Sequence, residues 1–164
     1  MEYLAEHNVL FLGQAVEYAG TAMTNTLKEI PKNKLLELPV TEELQMGISI
    51  GLSLNGITPI SIYPRWNFLL LATNQIVNHL DKIEKMSLGE YKTPVIIRAV
   101  VGGRKPIDPG IQHTQDYTQS IRKMVSFPVI DLRNIQEIIS EYNKALKLDS
   151  PILFVERRDL FDVM

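Results

Sequence analysis

The chain has 164 residues, of which 45% are hydrophobic and 22% are charged, and its formal net charge is −2. This length suits one domain with a full hydrophobic core, taken here as residues 1–164, and the near-balance of charge argues against a nucleic-acid-binding surface, which needs a clear basic excess. The absence of cysteine excludes disulfides and thiolate metal sites, and no apolar stretch reaches the ~18–20 residues of a membrane span, so a cytoplasmic protein is expected.

Short apolar runs rich in β-branched residues alternate with longer segments of helical period. In chain order, the predicted elements are a strand at 9–12, a strand at 35–38, a helix at 41–54, a strand at 57–63, a helix at 68–85, a strand at 94–101, a loop at 102–112, a helix at 118–125, a strand at 127–132, a helix at 135–146 and a strand at 151–157. The nearly continuous apolar run at 94–101 is typical of a strand buried on both faces. The alternation predicts a three-layer α/β domain with a mainly parallel sheet and helices on both faces.

Individual side chains refine the predicted helices. Thr41 and Asn134 are the expected N-caps of the helices that follow them. The side chains expected to face inward from the helix at 68–85 are Leu71, Ile76, Val77, Leu80 and Ile83.

The helix at 41–54 carries four small residues, Gly47, Ser49, Gly51 and Ser53. A glycine inside a helix costs ~1 kcal/mol relative to alanine, which is tolerated where another backbone approaches closely. Two interpretations stand side by side: tight packing of the helix on the sheet, or contact with another chain.

Three positions are candidates for chemistry. Glu42 opens the helix at 41–54, Phe68 opens the next helix, and His113 ends the glycine- and proline-rich loop. All three lie beyond strand ends and at helix starts, where open α/β sheets bind ligands. Each also has an ordinary explanation: a glutamate in a first helical turn interacts favourably with the helix dipole by ~0.3–1 kcal/mol, a phenylalanine belongs in a core, and a loop histidine is most often a hydrogen-bonded surface residue.

Five segments in order carry a more specific signal, at residues 38–51, 74–78 with Lys82, 94–98, 112–115 and 151–156. The first is similar to the Thr-Pro-Ile-Ala-Glu-Gln…Gly…Ala-Ile-Gly signature of transketolase-like pyrimidine-binding domains. The second and fourth are similar to the Asp-Gln-Ile-Val-Asn…Lys and His-Ser-Gln segments of those domains, and the third and fifth resemble two of their strands. Taken together, the five segments resemble above all the beta subunits of 2-oxo acid (pyruvate and branched-chain) dehydrogenases.

The resemblance implies a role for each candidate residue. Glu42 matches the glutamate that hydrogen-bonds a pyrimidine ring nitrogen of thiamine diphosphate, and Phe68 matches the aromatic residue that stacks on that ring. His113 matches the active-site histidine beside the substrate. Gln14 follows the first strand's glycine, where the family often has glutamate, and is expected to contact the cofactor.

The implied chemistry accounts for these residue types. The cofactor reacts through a thiazolium carbon that its own amino group deprotonates, and a carboxyl group at the pyrimidine nitrogen assists that proton transfer. A flat apolar side chain holds the ring, and a histidine titrating near neutral pH can exchange a proton with the substrate. Because Thr41 is expected to cap the helix, the carboxyl group of Glu42 is expected to point out of the domain, toward a partner chain.

The resemblance also implies that partner. The family's Gly-Asp-Gly…Asn pattern, which holds Mg²⁺ and the diphosphate, is absent, so an alpha-type subunit is expected to supply both, in an α2β2 heterotetramer, with no metal ligand and no C-terminal transketolase domain in this chain. The expected activity is that of a dehydrogenase-like small subunit acting on a 2-oxo acid or ketose-like donor, with no nucleic-acid or membrane partner. Departures from the family at Glu43 and Asn74 leave the reaction open. The alternatives are a split-subunit decarboxylase or carboligase, a non-catalytic regulatory subunit, and an unrelated ligand-binding α/β domain.

Overall fold

Six strands, each parallel to its neighbours, form one sheet in the computed structural model, which describes residues 1–19, 21–105 and 108–162. The strands are Val9–Gly13 (β1), Leu35–Glu37 (β2), Thr58–Tyr63 (β3), Ile96–Val101 (β4), Val129–Leu132 (β5) and Ile152–Arg157 (β6). Their order across the sheet is β2-β1-β3-β4-β6-β5. The predicted three-layer α/β class is confirmed; residues 106 and 107 of the predicted loop lie outside the described residues.

Helices connect successive strands. The α-helices are Glu2–Ala5 (α1), Ala22–Asn25 (α2), Glu42–Leu54 (α3), Trp66–Leu69 (α4), Ile83–Met86 (α5), Thr118–Arg122 (α6) and Ile135–Ala145 (α7). Shorter 3-10 turns lie at Lys32–Lys34, Leu70–Ala72, Ile111–His113 and Arg158–Asp162, and a π-helix lies at Gln75–Leu80. Within the described ranges, no helix is both long enough and apolar enough to cross a membrane.

Side chains alternate between the two faces of the sheet and build a hydrophobic core on each. Phe11 and Phe154 lie in the core that α7 covers, and Trp66 of α4 lies in the opposite one. The central strand β4 is buried along its whole length. Within the apolar run at 94–101, Ile96, Ile97 and Val100 of β4 and the preceding Val95 are each at most 3% exposed, as expected of a strand buried on both faces. Burial of each such side chain contributes ~1.5–3 kcal/mol to folding.

The helix predicted at 68–85 is a broken helical segment. It begins at Trp66 rather than at Phe68, and it passes through a 3-10 turn at Leu70–Ala72 and the π-helix at Gln75–Leu80 before α5. Phe68 therefore lies inside the first helical turn after β3 and does not open it.

These changes of pitch rotate the inward face of the segment, because 3-10, α- and π-helices advance by different angles per residue. Ile76 and Leu80 are buried, as predicted, and Val77 and Ile83 are partly buried. Leu71 is 61% exposed, so its predicted inward orientation is wrong.

Of the two predicted N-caps, Asn134 caps its helix and Thr41 does not. The Asn134 side chain accepts a hydrogen bond from the Glu137 N–H at 2.9 Å and caps α7, as predicted. Thr41 makes no capping bond to α3; its hydroxyl instead donates to the carbonyl oxygen of Pro39 at 3.3 Å. The predicted Thr41 cap is therefore wrong.

The small residues of α3 divide between its two sides. Ser49 and Ser53 are buried, which is the packing expected of a helix against a sheet. A Cβ atom added at Gly47 or Gly51 would meet no atom within 4 Å. Packing within this chain therefore accounts for the serines and leaves the two glycines open to another molecule.

A charged network lies in the core beneath α7. Arg98 of β4 donates from Nε and Nη2 to the two carboxylate oxygens of Glu156 on β6, at 2.8 and 2.9 Å. The hydroxyl of Tyr142 donates to Glu156 Oε1 at 2.5 Å. Arg98 is 1% exposed, so the pair is almost fully removed from water.

Candidate active site

The four residues proposed for the site each follow the carboxyl end of a different strand. Gln14 follows β1, Glu42 follows β2, Phe68 follows β3 and His113 follows β4. Because these strands are consecutive neighbours in a parallel sheet, the four residues lie along one edge of it. The chain pairs β2 on one side of β1 and β3 on the other, and open α/β sheets bind ligands at such a reversal of strand order.

Glu42 is buried, with 4% of its surface exposed, although it is the first residue of α3. The Gln14 Nε2 atom donates to its Oε1 at 3.2 Å, and no ion pair reaches this carboxylate within the described part of the chain. The expectation that the carboxyl group points out of the domain is not met. It lies against the loop after β1, because parallel pairing of β1 with β2 brings Gln14 beside it.

The start of α3 is anchored to β3. The Tyr63 hydroxyl donates to the backbone oxygen of Glu42 at 3.2 Å, and Gln45 Nε2 donates to the Ile62 carbonyl at 2.9 Å. Burial, helped by the charge of Glu42, raises the pKa of Tyr63, so this hydroxyl remains a donor at neutral pH. The Glu42 backbone is therefore held rigidly in place.

Gly13 permits the close approach on which this arrangement depends. Its φ is +152°, and a Cβ atom there would lie 2.5 Å from the carbonyl oxygen of Ile62. A side chain at this position would push β1 away from β3 and displace Gln14, so glycine is required.

Phe68 and His113 meet at the same edge of the sheet. Their ring centroids are 5.6 Å apart and the ring planes are inclined by 66°. The Nδ1 atom of His113 is buried and has no hydrogen-bond partner in the described structure. A buried nitrogen without a partner is costly, and such an atom is a natural contact for a ligand.

Side-chain hydrogen bonds hold the segment around His113, residues 111–118, against the start of α4. Asn67 Nδ2 donates to Gln115 Oε1 at 2.9 Å, and the Tyr117 hydroxyl donates to the same oxygen. Trp66 Nε1 donates to Thr118 Oγ1 at 3.2 Å. The bonds from Asn67 and Trp66 join residues separated by 48 and 52 positions in sequence and bring His113 to Phe68.

Phe68 and His113 line a cavity of about 290 Å³, together with the cationic side chains of Arg65, Lys105 and Arg158. Gln14 and Glu42 are not among its described lining residues. Burial and the charge of Arg158 lower the pKa of Arg65. The cluster of cations makes this cavity attractive to an anionic group.

Sequence reasoning missed Arg65 and Arg158, although each comes within two residues of the carboxyl end of a strand, β3 and β6 respectively. A basic residue within two positions of the end of a predicted strand is the signal that could have identified them. Gly103 is fitted to Arg158: its φ is +79°, and an added Cβ atom would overlap Cβ and Cγ of that arginine.

The structure brings Phe68 and His113 together and places Glu42 and Gln14 beside each other outside their cavity, and the residue types of this set suit an aminopyrimidine ring. Glu42 offers a buried carboxylate without a cation, Phe68 offers a flat apolar surface, and His113 offers an unpartnered ring nitrogen. In the described ranges, no three His, Asp or Glu side chains converge as ligands for a metal ion.

Comparison with known proteins supports the resemblance predicted from the sequence. The chain is 26% identical over 163 residues to the beta subunit of the pyruvate dehydrogenase E1 component of Rickettsia felis, with 98% of this chain and 49% of the relative covered. It is 25% identical to the mitochondrial beta-1 subunit of the same component from Oryza sativa subsp. japonica, with 98% of this chain and 43% of the relative covered. The chain thus spans about half the length of these curated relatives. No protein-family model matches it.

Among solved structures, the fold is similar to that of a split-gene transketolase in an inactive beta4 tetramer. The TM-score is 0.71 at 18% sequence identity, and the match covers 92% of this chain and 45% of the other. The predicted transketolase-like pyrimidine-domain resemblance, with E1 beta subunits as sequence relatives, is therefore confirmed.

Proposed function

We propose that this chain is the small subunit of a heteromeric thiamine-diphosphate-dependent enzyme and supplies the residues on the aminopyrimidine side of the active site. The observation that carries the proposal is the Glu42 carboxylate, which is 4% exposed, accepts a hydrogen bond from the Gln14 amide and forms no ion pair with any described residue. It lies at the edge of the sheet that also holds the Phe68–His113 pair.

Each residue has a defined task. Glu42 hydrogen-bonds a pyrimidine ring nitrogen and acts there as a general acid and base, with its backbone held in place by the Tyr63 hydroxyl. Phe68 offers its face to the ring and excludes water. His113 exchanges a proton with the substrate through its open nitrogen. The cofactor supplies the electron sink needed to cleave a carbon–carbon bond beside a carbonyl group.

The donor substrate is an anionic 2-oxo acid or ketose-like molecule. The three cations around the cavity, Arg65, Lys105 and Arg158, support an anion beside His113. The sequence similarity to pyruvate dehydrogenase E1 beta subunits favours a dehydrogenase-like reaction.

An alpha-type partner completes the site by holding the diphosphate and Mg²⁺, in an α2β2 heterotetramer. Gly47 and Gly51 support close contact with another chain, because a Cβ atom added at either position would meet no described atom within 4 Å beyond the helix itself. The exposed Leu44, in the turn before Gly47, adds apolar surface to the same helix.

The test is proton exchange at the thiazolium carbon, measured by NMR in the assembled complex. Glu42→Gln keeps the shape of the side chain and removes the exchangeable carboxyl proton. It is expected to slow exchange by ~10²–10⁴-fold while preserving assembly and most of the cofactor affinity.

Glu43→Gln is the matched control, since Glu43 lies in the same helical turn but is exposed. It is expected to exchange at the wild-type rate. If Glu42→Gln also exchanges at that rate, Glu42 only interacts with the helix dipole and the proposal fails.

A further inference from the structure

Glu37, the last residue of β2, accepts hydrogen bonds from three consecutive backbone N–H groups in the loop after β1. The N–H of Ala15 donates to Oε1 at 2.7 Å, and those of Val16 and Glu17 donate to Oε2 at 2.8 and 2.9 Å. Sequence reasoning gave this residue no role. Three N–H donors at these distances make a strong, specific seat for a carboxylate.

The loop held in this way has an uncommon backbone conformation. Ala15 has a φ of +53°, in the left-handed region that a residue other than glycine rarely adopts. Its carbonyl oxygen is also fixed, because Thr24 Oγ1 donates to it at 2.6 Å. Such a conformation persists only where surrounding contacts impose it.

Gln14 lies between two fixed points, Gly13 in the sheet and Ala15 on the Glu37 carboxylate. The Gly13 carbonyl accepts a hydrogen bond from Leu38 N–H at 2.9 Å, so the backbone on both sides of Gln14 is tied to the end of β2. The Gln14 side chain has one described partner, the carboxylate of Glu42.

We propose that Glu37 is a positioning residue, which fixes the loop so that the Gln14 amide orients the Glu42 carboxyl group. This inference rests on the proposed function, because its consequence is measured at the proton that Glu42 exchanges. Glu37 itself touches neither cofactor nor substrate.

The first experiment needs no cofactor and uses the full chain. Glu37→Gln is isosteric, but its amide NH₂ would face at least one backbone N–H. Amide hydrogen exchange measured by NMR is expected to accelerate by about tenfold or more at Ala15, Val16 and Glu17, and the side-chain amide resonances of Gln14 are expected to shift.

Glu29→Gln is the matched control, since it makes the same charge change at an exposed site in the same β1–β2 connection. Unchanged exchange at the three amides in Glu37→Gln would overturn the proposal.

The second experiment measures proton exchange at the thiazolium carbon in the assembled complex. Glu37→Gln and Gln14→Ala are each expected to slow it about fivefold to tenfold, the worth of one oriented hydrogen bond. Because Glu37 acts through Gln14, the double variant is expected to be no slower than Gln14→Ala alone. Effects that multiply would show that Glu37 acts independently and would overturn the proposal.

Two outcomes separate this inference from the proposed function. If Glu42→Gln exchanges at the wild-type rate, the proposed function is wrong. If Glu42→Gln exchanges slowly and Glu37→Gln exchanges at the wild-type rate, only the positioning role of Glu37 is wrong. If Glu37→Gln does not assemble, the amide-exchange experiment on the full chain decides alone: unchanged exchange at Ala15, Val16 and Glu17 overturns the proposal.

Discussion

Glu42 and Glu156 are buried to the same extent, each with 4% of its surface exposed, but their surroundings differ. Glu156 lies in the core beneath α7, where it accepts two hydrogen bonds from Arg98 and one from Tyr142. Glu42 lies at the carboxyl edge of the sheet, where the Gln14 amide is its described side-chain partner, at 3.2 Å.

The two surroundings differ in whether a described residue of opposite charge lies beside the buried glutamate. Burial disfavours the Arg98 cation, but the charge of Glu156 and the interactions with Tyr142 together outweigh that effect and raise the pKa of Arg98. Burial raises the pKa of Tyr142, which keeps its proton to donate. Removing an ion from water costs several kcal/mol, and the core offsets this cost with an opposite charge. At the edge, no ion pair reaches Glu42 within the described ranges, so its carboxyl group is open to a hydrogen bond from a ligand.

If the catalytic residues lie at the carboxyl edge of the sheet, replacing His113 should lower turnover and leave the free energy of unfolding unchanged. His113→Ala is expected to lower turnover in the assembled complex by ~10²–10⁴-fold, the usual worth of a general acid or base, with cofactor affinity nearly unchanged. The measurement is steady-state kinetics with a 2-oxo acid, alongside thermal denaturation. His79→Ala, at an exposed position in the π-helix, is the control and should leave both unchanged. Full activity in His113→Ala would make His113 an ordinary loop residue.

If the ion pair in the core stabilises the fold, replacing Glu156 should lower the free energy of unfolding strongly, and replacing Glu42 should lower it weakly. Glu156→Gln leaves the Arg98 guanidinium buried without its counter-charge, which is expected to lower the free energy of unfolding by ~3–5 kcal/mol. Urea denaturation of the chain measures it, with Glu42→Gln compared directly. The Arg98→Met and Glu156→Leu double variant removes both charges and should recover most of the loss. Equal destabilisation by Glu42→Gln and Glu156→Gln would erase the distinction between the two carboxylates.

The sequence predicted the sheet better than it predicted either glutamate's surroundings. Alternating apolar runs indicate strands directly, and the strand at 94–101 was found although Arg98 lies in the middle of it. The partner of Arg98 lies 58 positions away, and only the parallel register of β4 with β6 brings them together. Such a pairing carries no local signal in one sequence.

The sequence likewise predicts only those members of the candidate site that belong to a recognisable motif, and their roles stay predictions. Glu42, Phe68 and His113 occupy positions where a motif recurs, so a resemblance could identify them. Glu37 acts through backbone N–H groups, which every residue except proline carries, so no pattern of side chains predicts its role. The broken helix after β3 also escaped, because a π-helix is a tertiary adjustment rather than a propensity.

Asp81 is a third buried carboxylate, and its replacement is expected to have the smallest effect of those compared. Its side chain is 1% exposed, and its Oδ1 accepts hydrogen bonds from the N–H and Oγ of Ser126 at 2.6 and 2.7 Å. Its cation, Lys82, is 42% exposed, so water shares in the compensation. Burial alone would raise the pKa of Asp81, but the hydrogen bonds from Lys82 and Ser126 outweigh it, and the net pKa is lowered.

A lowered pKa in the folded state means that this carboxylate stabilises the fold above its unfolded pKa of ~3.9 and loses that contribution as the pH falls through its folded pKa. Asp81→Asn is therefore expected to lower the free energy of unfolding by ~1–3 kcal/mol at pH 7, less than Glu156→Gln, because the amide oxygen can still accept both bonds from Ser126 and Lys82 remains solvated. Urea denaturation at pH 7 and again near pH 3 measures the effect. The gap between wild type and variant should narrow at the lower pH, where the wild-type carboxylate begins to take up its proton. A gap that stays constant across this range would show that Asp81 acts by packing alone, and the ordering of buried carboxylates by the cation beside them would then not extend beyond Glu156.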